Sequence, residues 1–207
     1  MTTGDSRIAN VADLKGKRVA VTRGTDPHIF LVRALLDAGL SEKDITPVLL
    51  QHADGKTALI RGDVDAWAGL DPMMASAEIE DGARLFFRNP AANTWGILNV
   101  REKFLKDYPD VVRRVLAVYE EARKYSLANA DDLKRTFVAI TKLPDAVVDK
   151  QLHERTDLTY SRIGAPQRES ILAAGLALQQ AGVIDAKVDV RAALDGLIDD
   201  QVPLPTN

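Results

Sequence analysis

The residues with the clearest chemical potential lie in one short stretch, Gly24-Thr-Asp-Pro-His28, which follows an apolar segment. Gly24 favours a tight turn, and Thr25 and Pro27 are typical of the first turn of a helix. A turn between a strand and a helix presents backbone N–H groups and the positive end of the helix dipole to a nearby anion. Gly24 and Thr25 are therefore candidate contacts for an oxyanion, and His28 could donate a further hydrogen bond.

Each of these residues also has a purely structural interpretation. Gly24 and Thr25 can form an ordinary turn and helix cap, and a single histidine is more often a satisfied polar residue than a ligand contact. Asp26 argues against a bound anion, because a carboxylate in the first helical turn satisfies the dipole and would repel a second negative charge. Two further candidates follow a later strand: Trp67, which could equally be a core residue, and Asp71, which could equally cap a helix.

The elements that position these residues alternate between strands and helices. The predicted strands are 18–22, 45–50 and 63–69, and the predicted helices are 27–38, 54–62 and 73–79. This alternation predicts a parallel sheet with right-handed crossovers. The turns before Thr25, Asp54 and Pro72 then lie at one edge of the sheet, where ligands bind in open α/β folds.

Beyond residue 100 the pattern changes to continuous helical periodicity. One more strand is predicted at 95–100, then helices at 102–105, 109–128, 131–140, 145–154 and 166–181, a short helix within 185–200, and a tail at 202–205. The first hundred residues are thus predicted to be α/β and the second hundred mostly helical. Amphipathic helices need a surface to cover, and no strand-rich segment remains to form it, so we expect part of the architecture to lie outside this sequence.

The composition excludes several classes of function. The 207 residues carry 27 Lys and Arg against 30 Asp and Glu, so the charge balance does not favour nucleic acid or an anionic membrane as partner. No apolar run approaches the roughly 20 residues that span a bilayer. There is no cysteine, and the three histidines lack metal-ligand spacing, so we predict no metal and no cofactor. Nucleotide-binding and nucleophile-elbow motifs are also absent, which argues against an enzyme.

Four motifs together point to a family. They are Asp13-Leu-Lys-Gly-Lys-Arg-Val-Ala-Val21, Gly24-Thr-x-x-His28, Gly62-Asp-Val-Asp-Ala-Trp-Ala68 with Asp71-Pro72, and Phe104-Leu-x-x-Tyr-Pro-Asp-Val-Val112 with Asn129. In combination they resemble the solute-binding proteins of bacterial ABC importers, most closely the group for aliphatic sulfonates, taurine and nitrate. The resemblance runs from about residue 6 to residue 197. One departure is Leu70, where the family often has a tryptophan, so an aromatic wall of the ligand site is expected to be lost.

The resemblance implies a periplasmic-binding-protein type 2 architecture, with two α/β lobes around an anion cleft. Family members begin with about a hundred residues that have no counterpart here, comprising a signal peptide and the strands of the first lobe. On this interpretation residues 1–12 are a remnant of the first lobe, residues 13–94 the complete second lobe, and residues 95–207 the crossover strand and C-terminal helices of the first lobe. The first residues of the sequence lack the features of a signal peptide.

The resemblance also implies a function. The expected ligand is a small organosulfonate or related oxyanion, bound without catalysis by Gly24, Thr25, His28, Trp67 and Asp71. The expected partner is an ABC transporter permease, and the expected compartment is the periplasm. An alternative is the effector-sensing domain of a transcriptional regulator with the same fold. Two enzyme groups share this fold, but both depend on cysteine, which this chain lacks.

Overall fold

A three-stranded parallel sheet organises the first hundred residues in the computed structural model, which describes residues 1–92, 95–200 and 202. The strands are β1 (Arg18–Val21), β2 (Thr46–Leu49) and β3 (Ala66–Trp67), in the order β2-β1-β3. Both pairings are parallel, and Val19 lies opposite Pro47 on one side and Ala66 on the other. The predicted strands and their parallel arrangement are confirmed, although each strand is shorter than predicted.

Three helices connect and cover these strands. They are α1 (Asp26–Asp37), α2 (His52–Arg61) and α3 (Met73–Asp81), and they confirm the predicted alternation. Helices α2 and α3 both stop at a glycine with positive φ, +77° at Gly62 and +65° at Gly82, a conformation that costs a residue with a side chain far more.

Helix α1 and helices α2 and α3 pack against two different clusters of core residues. Successive side chains of a strand point to opposite faces of the sheet. Val19 and Val21 of β1 accordingly share a cluster with Leu31 and Leu35 of α1. Ala20 belongs to the other cluster, whose members also include Leu59, Val64, Trp67 and Ala77. The sheet is thus covered on both faces, as parallel sheets normally are.

A pair of helical glycines gives a direct test of this packing. A Cβ atom added to Gly55 of α2 would lie 2.7 Å from Nε1 of Trp67, whereas one added to Gly196 of α9 (Val190–Leu197) would meet nothing within 4 Å. We expect Gly55→Ala to lower the free energy of unfolding by about 1–3 kcal/mol, because a crowded core resists added volume. Gly196→Ala should instead raise it by up to about 1 kcal/mol through helix propensity. Urea unfolding of both variants measures the difference, and a stabilised Gly55→Ala would contradict the packing.

The chain after residue 100 is helical, as predicted. The remaining helices of the described residues are α4 (Glu102–Asp107), α5 (Pro109–Ala128), α6 (Ala130–Thr141), α7 (Asp145–Arg155), α8 (Ala165–Gln180) and α9. Helix α5 begins at Pro109, where the missing N–H of proline costs nothing. No helix in the described ranges is long and apolar enough to cross a membrane.

The predicted strand at 95–100 is wrong. Residues 95–100 adopt no regular secondary structure, and Ile97, Leu98 and Val100 are 40–50% exposed. A strand needs a neighbour whose backbone groups complete its hydrogen bonds. The sheet of the described residues consists of β2, β1 and β3, and 95–100 pairs with neither of its edges. The β-branched and aromatic residues of this segment expressed a local preference that no partner strand satisfies.

The described residues divide into two units. The first consists of Met1–Thr94 and Glu169–Ala193, and the second of Trp95–Arg168 and Leu194–Asn207. Residues 1–12 contribute Met1, Ile8 and Val11 to the core of the first unit. The assignment of 1–12, 13–94 and 95–207 to family lobes stays a prediction. Residues 93 and 94 of the predicted 88–94 loop, and residues 203–205 of the predicted tail, lie outside the described residues.

Candidate functional site

Thr22, the residue that follows β1, ties together the starts of two helices. Its carbonyl oxygen accepts a hydrogen bond from the hydroxyl of Thr25, at 2.6 Å, where α1 begins. Its own hydroxyl donates to the carbonyl of Leu50, at 2.7 Å, at the end of β2. The same oxygen lies 3.2 Å from Nδ1 of His52, the first residue of α2. The carboxyl ends of β1 and β2 and the amino ends of α1 and α2 therefore meet at one edge of the sheet, as predicted.

The turn at Gly24 is held by a buried histidine. Gly24 has φ +75°, and its N–H donates to Nδ1 of His28 at 3.2 Å. Since Nδ1 accepts this bond, the ring proton of the neutral tautomer lies on Nε2, which is 2.9 Å from Oε1 of Glu42. His28 is 1% exposed, so both ring nitrogens are occupied within the fold. The prediction that His28 donates to a bound anion needs correction: the residue positions the Gly24 turn.

Thr25 also plays a different part from the predicted one. It stands at the N-cap position of α1 with extended backbone, but its side chain makes no cap hydrogen bond. Its hydroxyl proton is committed to the carbonyl of Thr22, so it is not available to an anion. The donors at this helix start are the backbone N–H groups of Asp26 and His28, which have no acceptor within the described residues. Pro27 between them has no N–H to offer.

The two predicted contacts after β3 fare differently. Asp71 accepts a hydrogen bond from the N–H of Ala75 at 3.0 Å and so caps the start of α3, as the structural interpretation expected. Trp67 is 1% exposed and its ring lies against Gly55 and Gly69. Contact between Trp67 and a ligand is therefore excluded in this conformation, because the side chain fills the core. A ligand contact by Gly24, Thr25 or Asp71 stays a prediction.

Sequence analysis missed three residues of this edge: Thr22, Arg23 and His52. All three directly follow a predicted strand or lie within two residues of one, and that position was the signal that could have found them. Arg23 is exposed and has no ion-pair partner in the part of the chain that the structure describes. Arginine is well suited to an oxyanion because its guanidinium group can donate two parallel hydrogen bonds.

The Thr22 and His52 side chains do not form a nucleophile and base. For a hydroxyl to be activated, the histidine must accept its proton. Here the hydroxyl proton of Thr22 points to the carbonyl of Leu50, so His52 can only donate to that oxygen. The described residues also contain no cluster of three or more His, Asp or Glu side chains that could hold a metal ion. The edge can bind and orient a small molecule, but this pair is not set up for nucleophilic attack.

An open cavity of about 350 Å³ lies elsewhere, between the end of α5 and the start of α6. Its lining includes Asn129, Asp131, Asp132 and Arg135. Arg135 forms an ion pair with Asp132 at 2.9 Å, and Tyr125 donates to the same carboxylate. The hydrogen bond from Tyr125 and the ion pair keep the pKa of Asp132 below its usual value. With its cation already paired and a second carboxylate beside it, this cavity is a poor site for an anion.

Comparison with known proteins gives consistent matches. A family model described as NMT1/THI5 like matches residues 1–132. An aliphatic sulfonates-binding protein of Escherichia coli (strain K12) is 32% identical over 162 residues, which are 78% of this chain and 51% of that protein. The crystal structure of the periplasmic aliphatic sulphonate binding protein SsuA from Escherichia coli has a TM-score of 0.78 at 30% identity, covering 92% of this chain and 62% of that one.

A second solved structure extends the comparison to a bound ligand. The alkanesulfonate-binding protein SsuA from Xanthomonas axonopodis pv. citri, bound to MOPS, has a TM-score of 0.70 at 27% identity. The match covers 96% of this chain and 65% of that one. The chain spans about half of the length of the curated relatives it matches, 51% in one case and 58% in another.

Proposed function

Since the chain belongs to the NMT1/THI5-like family, we propose that it forms part of the solute-binding protein of an ABC importer and binds a small organosulfonate or related oxyanion. Its fold is α/β with the periplasmic-binding-protein type 2 architecture, as predicted. The similar proteins are named as sulfonate-binding proteins rather than enzymes. The proposed compartment is the periplasm, and the proposed partner is the permease of the importer.

The observation that carries the proposal is the edge where β1 and β2 end and α1 and α2 begin. The N–H groups of Asp26 and His28 are unmatched donors at the positive end of α1. The bond from Gly24 to His28, and from His28 to Glu42, fixes the turn that leads to them. Preorganised donors bind an oxyanion well because little freedom is lost on binding.

Arg23 adds the charge that the N–H groups lack. It precedes Gly24 directly and is exposed, so its guanidinium group is available to a ligand at this edge. An oxyanion would then receive neutral donors from the helix and a charged donor from the arginine. The carboxylate of Asp26, which is also exposed, opposes this attraction.

Calorimetric titration tests the proposal. The complete gene product is the best sample, because the chain spans only part of its relatives. We expect ethanesulfonate, taurine or nitrate to bind and propanol, a neutral compound of similar size, not to bind. Thr25→Val should weaken the binding roughly 2- to 10-fold, the effect of losing one neutral hydrogen bond that braces the turn. Thr25→Ser keeps the hydroxyl and serves as the control. Equal binding of propanol, or no binding of any anion, would contradict the proposed function.

A further inference from the structure

The hydrogen bonds around Thr22 determine which nitrogen of the neutral His52 ring carries the proton. Thr22 has one hydroxyl proton, and the 2.7 Å contact with the carbonyl of Leu50 requires that proton, since a carbonyl oxygen can only accept. The hydroxyl oxygen must then accept from Nδ1 of His52, which lies 3.2 Å away. Nδ1 therefore carries the proton of the neutral ring, and Nε2 keeps a free lone pair.

Nε2 of His52 is in a position to use that lone pair. The His52 residue is partly exposed, and no partner for Nε2 exists within the described residues. Through Thr22 it is linked to the same helix starts that carry the candidate anion donors. A neutral Nε2 without a proton accepts a hydrogen bond but cannot donate one to an oxyanion.

The charges of the edge favour the same kind of ligand. In the five residues that follow each of the three strands there is one cation, Arg23, and there are three carboxylates, those of Asp26, Asp54 and Asp71. A ligand with a single negative charge and no donor would meet more repulsion than attraction from these side chains. A ligand that also carries a donor, above all a positive one, would be matched by acceptors.

We propose that His52 selects, through Nε2 as acceptor, sulfonates that carry a hydrogen-bond donor such as an ammonium or hydroxyl group a few atoms from the sulfonate. This inference rests on the proposed function and names its substrate class. The sulfonate end binds at the start of α1, and the donor end meets Nε2. His52 is thus a specificity-determining residue, while Thr22 is the positioning residue that fixes its tautomer.

A matched series of ligands tests the proposal: ethanesulfonate without a donor, isethionate with a hydroxyl, and taurine with an ammonium group. Calorimetry at pH 8.5 keeps an ordinary imidazole ring neutral. We expect isethionate and taurine to bind about tenfold more tightly than ethanesulfonate, the scale of one hydrogen bond. Equal affinity for all three would overturn the role of His52 and leave sulfonate binding intact. If no sulfonate binds, the proposed function fails and the selectivity fails with it.

Two substitutions at position 52 separate the two ring nitrogens. His52→Asn keeps a donor near Thr22 but has no acceptor as far out as Nε2, so the preference over ethanesulfonate should fall to about one. His52→Gln places its amide oxygen nearer the Nε2 position and should keep part of the preference. His153→Asn, at an exposed histidine of α7, is the control and should change nothing. An unchanged preference in His52→Asn would overturn the proposal.

The tautomer can be measured without any ligand. Nitrogen-15 NMR of the His52 ring at pH 8.5 should show the proton on Nδ1 in the wild type. Thr22→Val removes the acceptor oxygen while keeping the side-chain shape, and we expect the fixed tautomer to be lost. A wild-type ring protonated on Nε2 would overturn the inference, whatever the ligand affinities are.

Discussion

Replacing Trp67 by alanine is expected to lower the free energy of unfolding of the first unit by about 3–5 kcal/mol. The side chain is 1% exposed and is among the largest fully buried side chains of the chain. A Cβ atom at Gly69 would lie 2.5 Å from Cζ2 of the ring, and one at Gly55 would be similarly close to Nε1. Glycines have no side chains that could move into the space left by the indole, so the cavity would persist.

Denaturant unfolding measures this loss, and the other tryptophan supplies the control. Trp95 belongs to the second unit, is only partly buried, and has an edge-to-face contact with Tyr160 at a centroid distance of 5.0 Å. Trp95→Ala should therefore cost less, about 1–2 kcal/mol. Equal losses for Trp67→Ala and Trp95→Ala would contradict the placement of Trp67 at the centre of the core.

Lowering the pH from 8 to 5 is expected to destabilise the chain of residues 1–207 by roughly 4 kcal/mol. The amino group of Met1 donates to the carbonyl of Trp67 at 2.7 Å and is buried. Burial lowers its pKa from 8.0 to about 5, because the charged form loses its hydration; Glu78 opposes the shift and Arg84 adds to it.

The sign of this effect follows from the protons bound by each state. Between pH 8 and pH 5 the unfolded chain carries a protonated amino group and the folded chain a neutral one. The unfolded state binds more protons in this window, so stability rises with pH by about 1.4 kcal/mol per unit and levels off above pH 8. The contribution is complete above pH 8 and is lost as the pH falls towards 5.

Urea unfolding at several pH values, with and without acetylation of the amino group, isolates this group. Acetylation removes the titration, so the difference in stability between the two samples should change by roughly 4 kcal/mol across the window. The carboxyl groups of Asp44 and Asp65, whose pKa values are lowered by hydrogen bonds from Ser41 and Arg18, are the same in both samples. Parallel pH profiles for the two samples would show that the amino group is not buried as described.

Local patterns in the sequence were enough to predict most of the elements. The predicted helix at 109–128 is α5 without any change in its bounds, and the predicted helix at 27–38 differs from α1 by one residue at each end. Helix periodicity, proline at the first turn and glycine after the last turn are properties of neighbouring residues, so they can be read along the chain. The parallel sheet followed from the alternation of strands and helices, because short connections permit few arrangements.

The predicted strand at 95–100 shows where local patterns stop being sufficient. A helix satisfies its hydrogen bonds within its own segment, whereas a strand depends on a partner that lies elsewhere in the chain. The residue types of 95–100 favour extended structure. Whether a strand forms there depends on a neighbour, and the described residues provide none for this segment.

The sequence by itself determined the position of the candidate site, at the ends of β1 and β2, and the residue types that gather there. Only the tertiary structure decided what each side chain does. His28 is turned inwards by Glu42, 14 residues away, and Thr22 reaches Leu50, 28 residues away. Trp67 is withdrawn into the core by close contact with Gly55 and Gly69. Burial and the direction of each proton depend on atoms that are distant in sequence, so no spacing along the chain could reveal them.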